Sequence, residues 1–172
     1  MANEQTADDI ERADFLATLA AHRGFLRYTV RELTDDQARE HTTVSVLCLG
    51  GLIKHVTRAE EEWASFIVRG LEGRGSPGER VEAHQASFEM GQDETLAGLL
   101  ERYAEVARHT DELVASLPSL DSSQPLPTAP WFEAGARWSA RRVLLHIIAE
   151  TAQHAGHADI IRESLDGVKT MG

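Results

Sequence analysis

An all-α fold, a four-helix bundle, is what the sequence predicts, and three observations predict it. Four segments carry apolar residues at spacings of three and four. The stretches between them are rich in Gly, Pro, Ser and Asp, and no strand-like alternation of useful length competes. Each segment is about 25 residues long, and four such amphipathic helices bury their stripes most simply against one another. At 172 residues the chain fits one domain, 1–172, with room for a real core.

The first helix is expected from about Asp8 to Leu33, with Phe15, Leu19, Leu26, Val30 and Leu33 on one face. The second is expected from about Val44 to Arg69 on the stripe Leu52, Val56, Ala59, Trp63 and Phe66; Gly50 and Gly51 weaken it locally. It stops in GLEGRGSPGER, a loop by composition, and the connection continues to roughly Gln92. The third covers about Asp93 to Leu117, where Leu96, Leu99, Leu100, Tyr103, Val106, Leu113 and Val114 form the stripe and Pro118 closes it. The connection LPSLDSSQPLPTAPWFEAGARW then reads as too polar and proline-rich for regular structure. Its length suggests a segment covering a site, with Trp131, Phe132 and Trp138 either lining a pocket mouth or fastening the loop to the bundle. Ser139 is a good N-cap for a fourth helix from Ala140 to about Leu165. The long connections leave the up-down order of the helices open.

Composition narrows the function classes. A hydrophobic fraction of 42% with 26% charged residues is ordinary for a soluble globular protein, and no apolar run approaches a membrane span. The net charge of -11 repels phosphate backbones, and no basic stripe interleaves with aromatics, so nucleic acid is not an expected partner. The acidic, polar start MANEQTADDIERADF and the single Cys48 fit a cytoplasmic protein.

The fourth helix holds an anomaly. In HIIAETAQHAGHADIIRE, Glu150, His154 and His157 fall where the apolar stripe should be. Glu150 and His154 are four apart, one turn above each other on one face, and can share one ion. His55 lies in or beside the stripe of the second helix. An ionised carboxylate in a bundle interior loses several kcal/mol of hydration unless something compensates it. A divalent cation would do so, since two imidazoles and a carboxylate are a three-ligand set of the catalytic-zinc kind. The competing reading has no metal: Glu150 pairs with Arg23 or is protonated, and each histidine is a hydrogen-bonded interior residue. His157, three residues after His154, either supports a ligand or contacts substrate, or is a helix-border histidine touching water; Gly51, one turn before His55, either leaves room above the metal or serves close packing. His22 and Arg23, near the inner face of the first helix, are candidates for binding an anionic substrate group. Cys48 reads as a small buried residue rather than a nucleophile. His41, His84, His109 and His146 have no evident partners in the sequence.

The stretches LGGLIKHVTRAEEEW (49–63) and LLHIIAETAQHAGHADIIRE (144–163) resemble the two signature helices of the DinB/YfiT superfamily of metalloenzymes. The resemblance implies a four-helix bundle in which His55, Glu150 and His154 bind a divalent metal, zinc or nickel. Many members carry histidine where Glu150 stands. The His, Glu, His set is instead similar to the metal site of mycothiol-dependent maleylpyruvate isomerase in the same superfamily. The resemblance is to that enzyme's site rather than to its reaction, because the isomerase carries a further C-terminal domain.

It also implies a small-molecule substrate, a thiol cosubstrate such as mycothiol or bacillithiol, and a homodimer. The expected function is thus a metal-dependent S-transferase or detoxifying enzyme using a low-molecular-weight thiol. The alternatives are a metal-dependent hydrolase and a non-catalytic metal- or ligand-binding stress-response bundle.

Overall fold

The computed structural model describes residues 6–73, 75–130 and 132–170. Four long helices make the bundle: α1 (Ala7–Thr29), α3 (Leu49–Arg69), α5 (Leu96–Ser116) and α6 (Ala140–Asp166). Between them lie the short helices α2 (Asp35–Arg39) and α4 (Pro77–Ala86) and a two-stranded antiparallel hairpin, β1 (Ser123–Pro125) with β2 (Arg137–Ser139). Among the described residues, no helix is long and apolar enough to cross a membrane.

Helix directions follow from which ends share a core. Phe15 and Leu19 from the start of α1 cluster with Phe66 and Ile67 from the end of α3, Val114 from the end of α5, and Val143 and Leu144 from the start of α6. Leu26 and Val30 of α1 cluster with Leu49, Leu52 and Ile53 of α3, Leu96 and Tyr103 of α5, and Ala158 and Ile161 of α6. Helices α1 and α6 therefore run one way and α3 and α5 the other. Each long helix packs on two neighbours, α1 on α6 and α5, and α3 on α5 and α6. Because α3 and α5 are parallel neighbours, the chain between them must travel back along the bundle, and α4 is part of that return.

Several boundaries differ from the sequence expectation. The second bundle helix starts at Leu49, not near Val44, because the Cys48 side chain caps it by accepting from the Gly51 amide; Val44 and Val46 stay exposed. The first ends at Thr29, four residues early, and Glu32 then takes a positive φ of 61° in the turn that follows. The stretch read as loop contains α4, whose start is fixed by a capping box between Ser76 and Glu79. The connection read as irregular carries the hairpin, in which Gln124 pairs with Trp138 and its side-chain amide donates to the carbonyls of Ile67 and Val68 at the end of α3. Ser139 caps α6 as expected.

Gly50 and Gly51 are where the return segment closes on α3. A Cβ on Gly51 would lie 1.8 Å from the Phe88 carbonyl oxygen, and one on Gly50 would lie 2.3 Å from Met90 Sδ. The bare backbone admits residues 88–90 against the helix.

Candidate metal centre

Halfway along the bundle, between its two apolar clusters, the stripes turn polar. On α3, His55 follows Leu52 and Ile53 on the buried face and is 3% exposed. On α6 the apolar run that ends at Ile147 gives way to Glu150, Thr151 and His154 before Ala155 and Ala158 resume it. Antiparallel packing of α3 on α6 brings these levels together. One donor atom from each of His55, Glu150 and His154 lies within 4.8 Å of the other two. The His55 and His154 rings meet edge to face with centroids 4.7 Å apart, and His154 Nε2 is 3.6 Å from Glu150 Oε2.

The electrostatics suit a cation. Burial, reinforced by His154 and His84, pushes the His55 imidazole down to about 4, so it is neutral with a free lone pair at neutral pH. Hydrogen bonding to His154 holds the Glu150 carboxyl below the usual carboxylate range, against desolvation, so it is ionised. Two nitrogen donors and one anionic oxygen fit a zinc-type ion in chemistry. The 3.6 Å between His154 and Glu150 is close to the roughly 3.4 Å separating two ligands about 2.1 Å from a tetrahedral centre. The donor set is also half open, since Glu150 keeps 30% of its side chain exposed.

That exposure faces a cavity of about 590 Å³. Its walls include His55 and Trp63 of α3, Arg80 and the exposed His84 of α4, His146 and Glu150 of α6, and Pro127 to Pro130 with Phe132 from the hairpin loop. Trp63 stacks on Trp138 at 5.1 Å, His146 meets both indoles edge on, and Phe132 meets Trp138 edge on. Of the expected aromatics, Phe132 thus lines the pocket and Trp138 fastens the wall, while Trp131 lies outside the described residues. His146 Nε2 is 3.8 Å from Glu150 Oε1, and burial lowers its pKa.

The remaining sequence candidates fall elsewhere. Arg23 does not reach Glu150. Its guanidinium makes a two-point pair with Glu60, at 3.1 and 2.5 Å, and a third bond to Asp111 at 2.8 Å. An arginine engaged in this way and 5% exposed is no anion receptor, and the metal-free reading loses its counter-charge for Glu150. His22 meets Phe25 edge on, at 5.9 Å, and lines no part of the cavity. Gly51 leaves no room above the ligands, because the Phe88 backbone fills it. His157 lies behind His154, with their Nδ1 atoms 3.4 Å apart.

Two histidines without evident sequence partners, His84 and His146, do face the site. His146 was visible as the first of three residues spaced by four, His146, Glu150 and His154, on one helical face. His84 was hidden by the missed α4, as were Ser87 and Phe88. Phe88 stacks on His55 with centroids 3.8 Å apart, and the Ser87 hydroxyl lies 2.9 Å from His55 Nδ1.

No curated protein gives a significant match to the chain. The family model described as Mycothiol-S-transferase matches residues 14–167, which takes in all four bundle helices apart from the first turns of α1 and reaches every residue of the His55, Glu150, His154 cluster. With the helical bundle in place and the match running nearly end to end, the chain belongs to the mycothiol S-transferase family, a DinB/YfiT-like family.

Proposed function

We propose that the protein is a divalent-metal-dependent S-transferase that joins a low-molecular-weight thiol, mycothiol or a relative such as bacillithiol, to a small electrophilic substrate. The observation that carries the reading is the convergence of His55, Glu150 and His154, two of which, His55 and Glu150, line a cavity, in a chain of this family. Zinc suits the donors best and nickel is the alternative. A divalent cation supplies one thing there: it holds a thiol as thiolate at neutral pH.

The chain's own groups account for the rest. The wall of Trp63, Phe132 and Pro127 to Pro130 sheds water from the electrophile and holds its apolar part. His146, neutral because burial opposes its protonation, faces the cavity and can take the thiol proton on Nε2. As the sulfur forms its bond to carbon, the electron pair released goes to the leaving group or to the adjacent carbon. The imidazolium then returns its proton there. Glu150 Oε1 beside His146 steadies the transient positive charge.

Hydrolysis is the nearest alternative, since His146 could take a proton from water as from a thiol, and the family match is what favours thiol transfer.

The test begins with elemental analysis of protein made without a metal-binding tag, beside His55→Ala and Glu150→Gln. About one metal per chain, lost in both variants, is expected. Consumption of mycothiol or bacillithiol with a chlorodinitrobenzene acceptor should then track metal content. Failure to bind zinc, nickel or iron on reconstitution would overturn the proposal.

A further inference from the structure

The metal ligands stand on α3 and α6, yet α4 and the residues after it also reach the site. The Ser87 hydroxyl is buried beside His55 and has two neighbours. It donates to the His84 carbonyl at 2.6 Å, and it lies 2.9 Å from His55 Nδ1. A hydroxyl has one proton. With that proton committed to the carbonyl, the oxygen can only accept from His55, so Nδ1 must carry the hydrogen and Nε2 must carry the lone pair.

We infer that Ser87 is a positioning residue that fixes the tautomer and ring orientation of His55, so that His55 offers Nε2 to the metal. This rests on the metal reading for its consequence but not for its geometry. His154 Nδ1 is occupied by His157 Nδ1 at 3.4 Å, while His154 Nε2 is the nitrogen facing Glu150. Both histidines are thus engaged at Nδ1. Partners of this kind hold metal-ligating imidazoles in one orientation and raise their basicity, and losing one lowers metal affinity by about 10- to 100-fold.

The inference explains why the return segment is built so tightly. Ser87 ends α4 as its C-cap, and its own amide is held by the carbonyls of Ala83, His84 and Gln85. Phe88 covers the His55 face, and its carbonyl is seated on Gly51. The ring is therefore fixed in plane by stacking and in rotation by the hydroxyl. The imidazole of His84 meets it edge on at 5.1 Å, and His84 contributes to the arrangement through its carbonyl rather than its ring.

The direct test is the long-range proton–nitrogen NMR spectrum of imidazoles in the metal-free protein at pH 7.5, with His55→Ala for assignment. A single His55 tautomer protonated at Nδ1 is expected. In Ser87→Ala that tautomer should give way to a mixture or to the Nε2-protonated form, and Ser87→Thr should restore it. Zinc affinity, read by chelator competition, should fall about 10- to 100-fold in Ser87→Ala and recover in Ser87→Thr. His55 protonated at Nε2 in the wild type would overturn the inference, and so would an unchanged tautomer in Ser87→Ala. If neither protein binds zinc but the tautomer shifts as stated, Ser87 keeps its role and the metalloenzyme reading is what fails. The wild-type spectrum decides the point even if the alanine variant does not fold.

Discussion

Two polar clusters interrupt the apolar interior of the bundle, and they are built on opposite principles. The Arg23, Glu60, Asp111 cluster is closed. Glu60 is 1% exposed, and both of its oxygens accept from one guanidinium. The His55, Glu150, His154 cluster is open: its carboxylate faces a cavity, its neighbours are imidazoles, and among the described residues no arginine or lysine is paired with Glu150. A carboxylate inside a bundle is therefore no sign of a binding site. What distinguishes the second cluster is a missing counter-charge together with a route to solvent.

Predictions that break the comparison run from the closed cluster to the open one. Arg23→Leu leaves Glu60 buried and unpaired, which should cost about 3–5 kcal/mol in urea unfolding. Metal content per folded chain should not change. A loss of under about 1 kcal/mol would mean that Glu60 finds water or another partner.

The next effect is that of pH on the metal-free protein. His55 has a folded pKa of about 4 against an ordinary 6.5, so between these values the unfolded chain binds the extra proton. Stability contributed by keeping His55 neutral is full above pH 6.5 and lost as pH falls towards 4, by about 3 kcal/mol in all. Unfolding curves of wild type and His55→Ala should diverge across that window. Parallel curves would show that His55 titrates normally.

Gly51→Ala forces a methyl group to within contact of the Phe88 carbonyl and should cost about 1–3 kcal/mol. It should also weaken zinc binding, because the segment it displaces carries Ser87. Stability loss with unchanged affinity would separate the packing of residues 88–90 from the site.

Glu150→Gln should change the fold least, by about 1 kcal/mol or less, since the side chain is partly exposed. It should nonetheless abolish metal loading in elemental analysis. A substitution harmless to stability and ruinous to loading is the reverse of Arg23→Leu.

The four long helices were legible because Phe15, Leu19, Leu26 and Val30, and their counterparts on the other three, bury at helical spacing. The ligand set was legible as a set, because polar donors on that stripe are conspicuous. Its surroundings were not. In α4, PGERVEAHQA has no apolar stripe, and only its start, the Ser76 to Glu79 capping pair with Pro77 at the first turn, announced it. The hairpin strands are three residues each, and their anchor is a side chain, Gln124, bonded to carbonyls some 57 positions away. Arg23 was misassigned for a related reason. Spacing along α1 placed it on the inner face, but only the packing showed that Glu60, a residue of the second helix not considered as a partner, lies opposite.

The Arg23 to Glu60 pair also does something that stripes of leucine and valine do not. It joins α1 to α3, which stand on a diagonal of the bundle and scarcely touch otherwise. Apolar stripes tolerate neighbouring alignments, whereas sliding one helix by a single turn, about 5.4 Å, would strand both charges in an apolar layer. The pair thus makes the axial alignment of the two helices single-valued. Specification of that alignment thus rests on two residues that never touch the site, while His55, five positions before Glu60 on α3, keeps its level against α6 through the packing of those two helices.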